Sequence, residues 1–139
     1  MKLHRSAKVV ILDKDNNALV LRRSSTHPNA AYHSDLPGGV TEGSETFEVG
    51  LSREIKEEVG LTIAPESLKL IYTFNRRFFT SSVSRLVYAV RVPEANPTIT
   101  LSYEHVDFTW QPIADVKDIE RPYQKGIDYA NKHNLWSKI

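Results

Sequence analysis

Apolar and polar positions along the chain divide it into short β-rich runs and two stretches with helical spacing. Lys8-Val9-Val10-Ile11-Leu12 and Ala18-Leu19-Val20-Leu21-Arg22 are rich in aliphatic and β-branched residues. The turn-forming Asp13-Lys14-Asp15-Asn16-Asn17 between them predicts an antiparallel hairpin. Residues 68–74 and 84–92 read as two further strands, with 75–82 as the segment joining them. Trp110 leads into a short helical segment, and residues 122–133 read as a closing helix with Tyr123, Ile127 and Ala130 facing inward. Trp136 reads as a packing plug.

The other helical stretch runs over residues 47–59. Thr46 has the chemistry of an N-cap, Glu48 places negative charge in the first turn, and Gly60 is the left-handed residue expected just past the end. At about 100° per residue, with Glu54 as zero, Glu58 lies at about +40° and Glu57 at about −60°. Phe47, Gly50 and Leu51 fall on the same arc, while Ser52 and Lys56 lie opposite. The spacing predicts that Glu54, Glu57 and Glu58 share the inward face.

A Glu-rich helix end is ordinarily a solvated face, but a solvated face would put its carboxylates opposite Phe47 and Leu51. Like charges three and four residues apart repel by roughly a few tenths of a kcal/mol in water, and by more when desolvated. Arg53 and Lys56 offset part of that. A hard cation would offset the rest, since Mg²⁺ or Mn²⁺ favours carboxylate, carbonyl and water oxygens.

Gly39, five intervening residues, Glu45, seven more, and then Arg53-Glu54-Ile55-Lys56-Glu57-Glu58-Val59-Gly60-Leu61 resemble the Nudix box at every fixed position. The resemblance is to Nudix hydrolases of the MutT-like kind and covers about a sixth of the chain. It implies an α/β fold, the Nudix-type α/β/α sandwich with a mixed β-sheet. It also implies Mg²⁺-dependent hydrolysis of a nucleoside diphosphate linked to another moiety, with a nucleoside triphosphate pyrophosphohydrolase releasing a nucleoside monophosphate as the leading form. Carried over position by position, Glu54, Glu57, Glu58, the Gly38 carbonyl and Glu104 hold the metal, and Arg53, Glu54, Glu57 and Glu104 form the catalytic set. Arg53 orients a neighbouring glutamate, Glu45 braces the loop, and the general base is Glu54 or Glu104. His105 and Asp107 compete with Glu104 for its part.

Composition narrows this picture. With 139 residues the chain reads as one Nudix domain, 1–139, large enough to bury its own core. The absence of cysteine excludes disulfides, a thiol nucleophile and Cys-ligated zinc, and with them an isopentenyl diphosphate isomerase, which shares the fold and uses a catalytic cysteine. No run reaches membrane-spanning length and the first residues lack an apolar signal core, so a cytoplasmic protein without a membrane partner is expected. Eighteen basic against seventeen acidic residues leave a net charge of +1, too weak a field for nucleic-acid binding by bulk attraction. The expected partner is a small-molecule nucleotide, the protein being a monomer or homodimer, with no nucleic acid polymer.

Substrate contacts are sought outside the box. Arg22 and Arg23 close the second strand, where a basic pair is ordinarily a solvated edge; MutT-like proteins carry an Arg pair there that resembles a phosphate contact. Arg76 and Phe78 stand in a basic, aromatic stretch suited to stacking a base and neutralising phosphate. They also occupy the positions about fifteen and seventeen residues past Leu61. There the ADP-ribose and dinucleotide polyphosphate subfamilies would imply proline or tyrosine. His27, Tyr32 and His33 sit in the loop after Arg23, at no metal-binding spacing. Besides hydrolysis of ADP-ribose, nucleotide sugars or dinucleotide polyphosphates, the remaining alternative is a Nudix-fold sensor that binds a nucleotide without cleaving it.

Overall fold

One long strand, β1 (Lys2–Leu12), feeds both faces of a mixed sheet in the computed structural model, which describes residues 2–26 and 31–139. The other elements are β2 (Asn17–Arg23), β3 (Ser34–Asp35), β4 (Gly38–Val40), α1 (Phe47–Val59), β5 (Lys69–Arg77), β6 (Ser81–Arg91), β7 (His105–Pro112) and α2 (Tyr123–Lys132). Strand alternation explains the layering. Ala7, Val9 and Ile11 pack with Leu51, Ile55 and Val59 of α1, whereas Val10 and Leu12 pack with Ile127 and Ala130 of α2. The result is a helix on each face of the sheet, the α/β/α sandwich that the sequence predicts. No helix among the described residues is long and apolar enough to cross a membrane.

The edges of β1 are used unequally. β6 runs parallel to it along its whole length, from Lys2↔Ser81 to Leu12↔Arg91. On the other edge, Leu12 meets Ala18 of β2, but Ser6, Ala7 and Lys8 pair with Val40, Gly39 and Gly38 of β4. β2 is meanwhile paired with β7 along its length and with β3 near its end. The sheet therefore forks between β1 and β2, and a cleft of about 590 Å³ opens there.

Helix α1 has the predicted limits. Thr46 accepts from the Val49 amide at 3.1 Å, and Gly60 sits at φ 80° with its N–H on the Lys56 carbonyl. The first hairpin turn is closed by Asp13, whose Oδ1 accepts from the amides of Asp15 and Asn17 at 2.8 and 2.9 Å. The segment 75–82 is not the connection expected. β5 continues to Arg77 and β6 starts at Ser81, leaving Phe78, Phe79 and Thr80 as the turn. Asn75, Arg76 and Arg77 are exposed in succession, so this end of β5 lacks the apolar alternation that would have marked it as strand. Trp110 lies in β7, followed by a 3₁₀ turn over Ile113–Asp115, and Trp136 is buried with its indole N–H on Asn131.

Candidate active site

The cleft is built where α1, β4 and the fork in the sheet converge. Gly38 at φ 130° is the tight point: a Cβ there would stand 2.2 Å from the Ala7 carbonyl oxygen. Its amide donates to Glu58 Oε2 at 2.8 Å, drawing that carboxylate inward against β4. A Cβ on Gly39 would meet the Glu54 carboxylate at 3.4 Å, so a bare backbone at 38–39 lets α1 present both groups to the cleft. Burial pushes the Glu58 carboxyl up to about 8; Lys8 and the Gly38 amide oppose the shift, and Glu54 and Asp35 add to it. Glu54 is also raised, first by burial, with Arg53 opposing and Glu57 and Glu104 contributing.

The glutamates do not share one inward face as the spacing predicted. Glu58 is buried, the Glu54 side chain is mostly covered, and the Glu57 side chain is 58% exposed at the rim. Ile55 and Val59 belong to the buried stripe of α1, and they draw its centre away from Glu57. Arg53 spans this rim. It makes paired hydrogen bonds to Glu45, Nε to Oε2 at 2.9 Å and Nη2 to Oε1 at 3.0 Å, and its Nη1 donates to Glu54 and Glu57 at 3.3 Å each. Glu45 Oε1 also accepts from the Glu42 amide at 3.0 Å, tying the Gly-rich loop to the helix. Glutamate interactions hold the Arg53 guanidinium well above its ordinary range, the bond to Glu45 first among them.

Behind the carboxylates lies a buried charged network that reading the sequence missed. Asp35 of β3 sits between Lys8 of β1 at 3.2 Å, Arg23 of β2 at 3.3 Å and His105 of β7 at 3.0 Å. Burial alone would raise its carboxyl, but His105, Lys8 and Arg23 hold it well below the usual carboxylate range. Lys8 also donates to the Gly38 carbonyl at 3.1 Å. Burial pulls the Lys8 ammonium down, and Asp35 and Glu58 outweigh that to leave it raised. Arg23 reaches past Asp35 to Glu120 at 3.1 Å. No local motif marks this set, because its members come from four strands that only the topology brings together.

Of the residues singled out in the sequence, Arg23, Gly38, Glu54, Glu58 and Glu104 line the cleft. Ser6, Lys8, Asp35, Arg85, Glu120 and Tyr123 join them, and the Ser6 and Tyr123 hydroxyls meet at 2.7 Å. Glu104 is half-buried, with its backbone carbonyl accepting from the Ser24 amide. The Arg pair is split: Arg23 is buried on the cleft side, while exposed Arg22 donates to the Tyr32 carbonyl at 3.3 Å and borders a separate small depression. Arg76 and Phe78 lie outside the cleft lining, at the end of the β5–β6 hairpin. His105 is buried on Asp35, Asp107 accepts from the Phe108 amide, His33 is exposed, and His27 lies outside the described residues.

The donor set fits a hard divalent cation in chemistry. Two carboxylates raised by burial and by neighbouring carboxylates face a cleft with a backbone carbonyl and a third carboxylate, all oxygen donors. Among the described residues no three His, Asp or Glu side chains already stand in ligand geometry, since Glu57 is held on Arg53 instead. Glu54, Glu58 and the Gly38 carbonyl would hold a cation, with Glu104 in the same lining and Glu57 outside it on Arg53.

Comparison with known proteins bears on the fold and the family. An ADP-ribose pyrophosphatase of Methanocaldococcus jannaschii is 35% identical over 82 residues, covering 59% of this chain and 47% of that protein. An 8-oxo-dGTP diphosphatase of Escherichia coli is 38% identical over 74 residues, covering 52% and 57% respectively. The chain spans about half the length of the curated relatives it matches. In fold it is similar to a MutT protein from Methanosarcina mazei, with a TM-score of 0.77, 23% identity and 96% of each chain covered. It is also similar to the NUDIX domain of Shewanella oneidensis NrtR, solved with ADP ribose, with a TM-score of 0.71, 18% identity and 96% and 88% covered. The NUDIX domain model matches residues 2–129, and the chain belongs to the Nudix family.

Proposed function

We propose that this protein hydrolyses the phosphoric anhydride bond of a nucleoside diphosphate derivative, with a nucleoside triphosphate as the leading substrate and a divalent cation as cofactor. The observation that carries this reading is the pairing of Glu54 and Glu58 with the Gly38 carbonyl at one wall of a cleft that also holds Lys8, Arg23 and Arg85. Carboxylates alone would repel a diphosphate, and cations alone would bind it without cutting. A cation held by the carboxylates would supply charge neutralisation on the diphosphate and would lower the pKa of a bound water. Glu54 and Glu104, both in the cleft lining, are the two candidate bases for taking the proton from the attacking water. Arg53, braced by Glu45, fixes the orientation of Glu54 and Glu57. Lys8, Arg23 and Arg85 in the same lining would stabilise the charge on the departing product, pyrophosphate or nucleoside monophosphate according to which phosphorus the water attacks.

The test is a panel of nucleoside triphosphates including oxidised forms, nucleotide sugars, ADP-ribose and dinucleotide polyphosphates with Mg²⁺ or Mn²⁺, with both products identified. Nucleoside triphosphates are expected to give the monophosphate and pyrophosphate. Tight binding of any of these ligands with no turnover would favour a nucleotide sensor instead.

A further inference from the structure

The near-neutral charge of the chain conceals a segregation that the fold turns into a surface. β1, β5 and β6 are neighbours in the sheet and contain no Asp or Glu, although the chain has seventeen. The forward end of these strands carries Lys2, Arg5, Arg76, Arg77 and Arg85, none of which makes an ion pair with a carboxylate among the described residues. Cross-strand register places Arg85 opposite Phe74, and Arg76 two residues further on shares that face, the one that α2 packs on. The Arg76 guanidinium then lies 5.0 Å from the centre of the Phe78 ring. Cation and aromatic thus alternate from Arg85, which lines the cleft, to the hairpin turn, where Phe78 is 45% exposed and Phe79 fully so.

We infer that this hairpin end is a docking surface for single-stranded nucleic acid. Protection of an edge strand would account for charges on β5, but it calls for covering or removing large apolar groups rather than exposing Phe78 and Phe79. A phosphate backbone supplies the missing counter-charge, and bases supply faces for the rings, which is how sequence-tolerant single-strand sites are built. From Arg85 across to Phe74 and out to Phe78 the path is roughly 18 Å by strand geometry, room for several bases at their roughly 3.4 Å stacking rise. The expectation of no polymer partner rests on whole-chain charge, and that sum is blind to three acid-free neighbouring strands. Arg77 pairs with Ser82 on the α1 side, where Arg5 lies over the Phe47 ring. The α2 face of the path is therefore carried by Arg85, Phe74, Arg76 and Phe78, with Arg77 adding charge from the other face of the tip.

Binding is separable from the proposed hydrolysis and is read without turnover. Fluorescence anisotropy would follow labelled single-stranded RNA and DNA of about twelve nucleotides, a length within the range bound by single-strand sites. The protein would be in EDTA, with Arg76→Ala/Arg77→Ala and Phe78→Ala variants whose folding is checked by thermal melting. Binding that weakens with salt is expected. The double variant should lower affinity about tenfold or more and flatten the salt slope by roughly 0.7 for each phosphate that is no longer neutralised. Phe78→Ala should weaken binding roughly 5- to 150-fold, the range for removing one base stack. No binding at low salt, undiminished binding by the variants, or preference for vesicles of phosphatidylserine over the oligonucleotides would each overturn the assignment.

Discussion

The carboxyl end of α1 and the forward end of the β1–β6–β5 sheet are both crowded with like charge, and the fold treats them in opposite ways. At α1 the charge is turned inward: Glu58 is buried, Glu54 is mostly covered, and both carboxyls are raised above their ordinary range. At the sheet end it is left in water on exposed Arg76 and Arg77, with no carboxylate on three neighbouring strands. Like charge costs little in water and much when desolvated, so only the first arrangement carries a standing penalty that a ligand can relieve. On the proposed reading, inward crowding serves a small ion held at one fixed place. Outward crowding marks a surface that meets a larger, mobile counter-charge.

The sharpest way to break this contrast is at the inward site. Glu58→Gln keeps an acceptor for the Gly38 amide but removes the charge, so turnover of the preferred nucleotide should fall by orders of magnitude while circular dichroism stays native. Arg77→Ala, made in parallel, should leave turnover within about twofold, because Arg77 lies outside the cleft lining. Near-equal turnover by Glu58→Gln and the wild type would remove the basis for the inward reading.

Next in size is the network behind the site. Asp35→Asn leaves Lys8 and Arg23 buried with their shared carboxylate gone, and it should destabilise the protein by roughly 3–5 kcal/mol in chemical denaturation. A loss below about 1 kcal/mol would mean that the network is solvated like a surface pair.

A smaller effect concerns pH. The folded Glu58 carboxyl titrates at about 8 against an ordinary 4.5, so the folded state holds an extra proton between those values. Its contribution is full below about pH 4.5 and is lost as pH rises towards 8, amounting to a few kcal/mol at most. In EDTA, wild-type melting temperature should decline over that window and the Glu58→Gln profile should be flatter. At pH 8 the variant should melt at or above the wild type. Parallel profiles would show that burial of Glu58 imposes no penalty.

Much of the inward site was legible because it is local. Thr46, the box glutamates and Gly60 lie on one helix whose period and caps can be read from adjacent residues. What escaped was set by topology. Lys8, Asp35, Arg23 and His105 come from four strands, and Lys8 in the sequence is merely the polar start of an apolar run. The exposure of Glu57 escaped because the buried stripe is centred on Ile55 and Val59 rather than on the glutamates. The hairpin strands escaped beyond residue 74 because a wet edge carries no alternating signature, and so the placement of Arg76 and Phe78 on a tip could not be foreseen. The division of Arg22 from Arg23 follows from strand alternation and the bulge between them, which appears only once β7 is paired.

The claim that Glu54 and Glu58 form a cation site is tested most directly by thermal shift with Mg²⁺ or Mn²⁺ alone, without nucleotide, at pH 8. A cation that binds only the folded site stabilises it by about 2.7 kcal/mol at one hundred times its dissociation constant. The wild-type melting temperature should therefore rise steadily with metal, while Glu58→Gln should stay nearly flat. An equal rise in both, or none in the wild type at millimolar metal, would contradict the account.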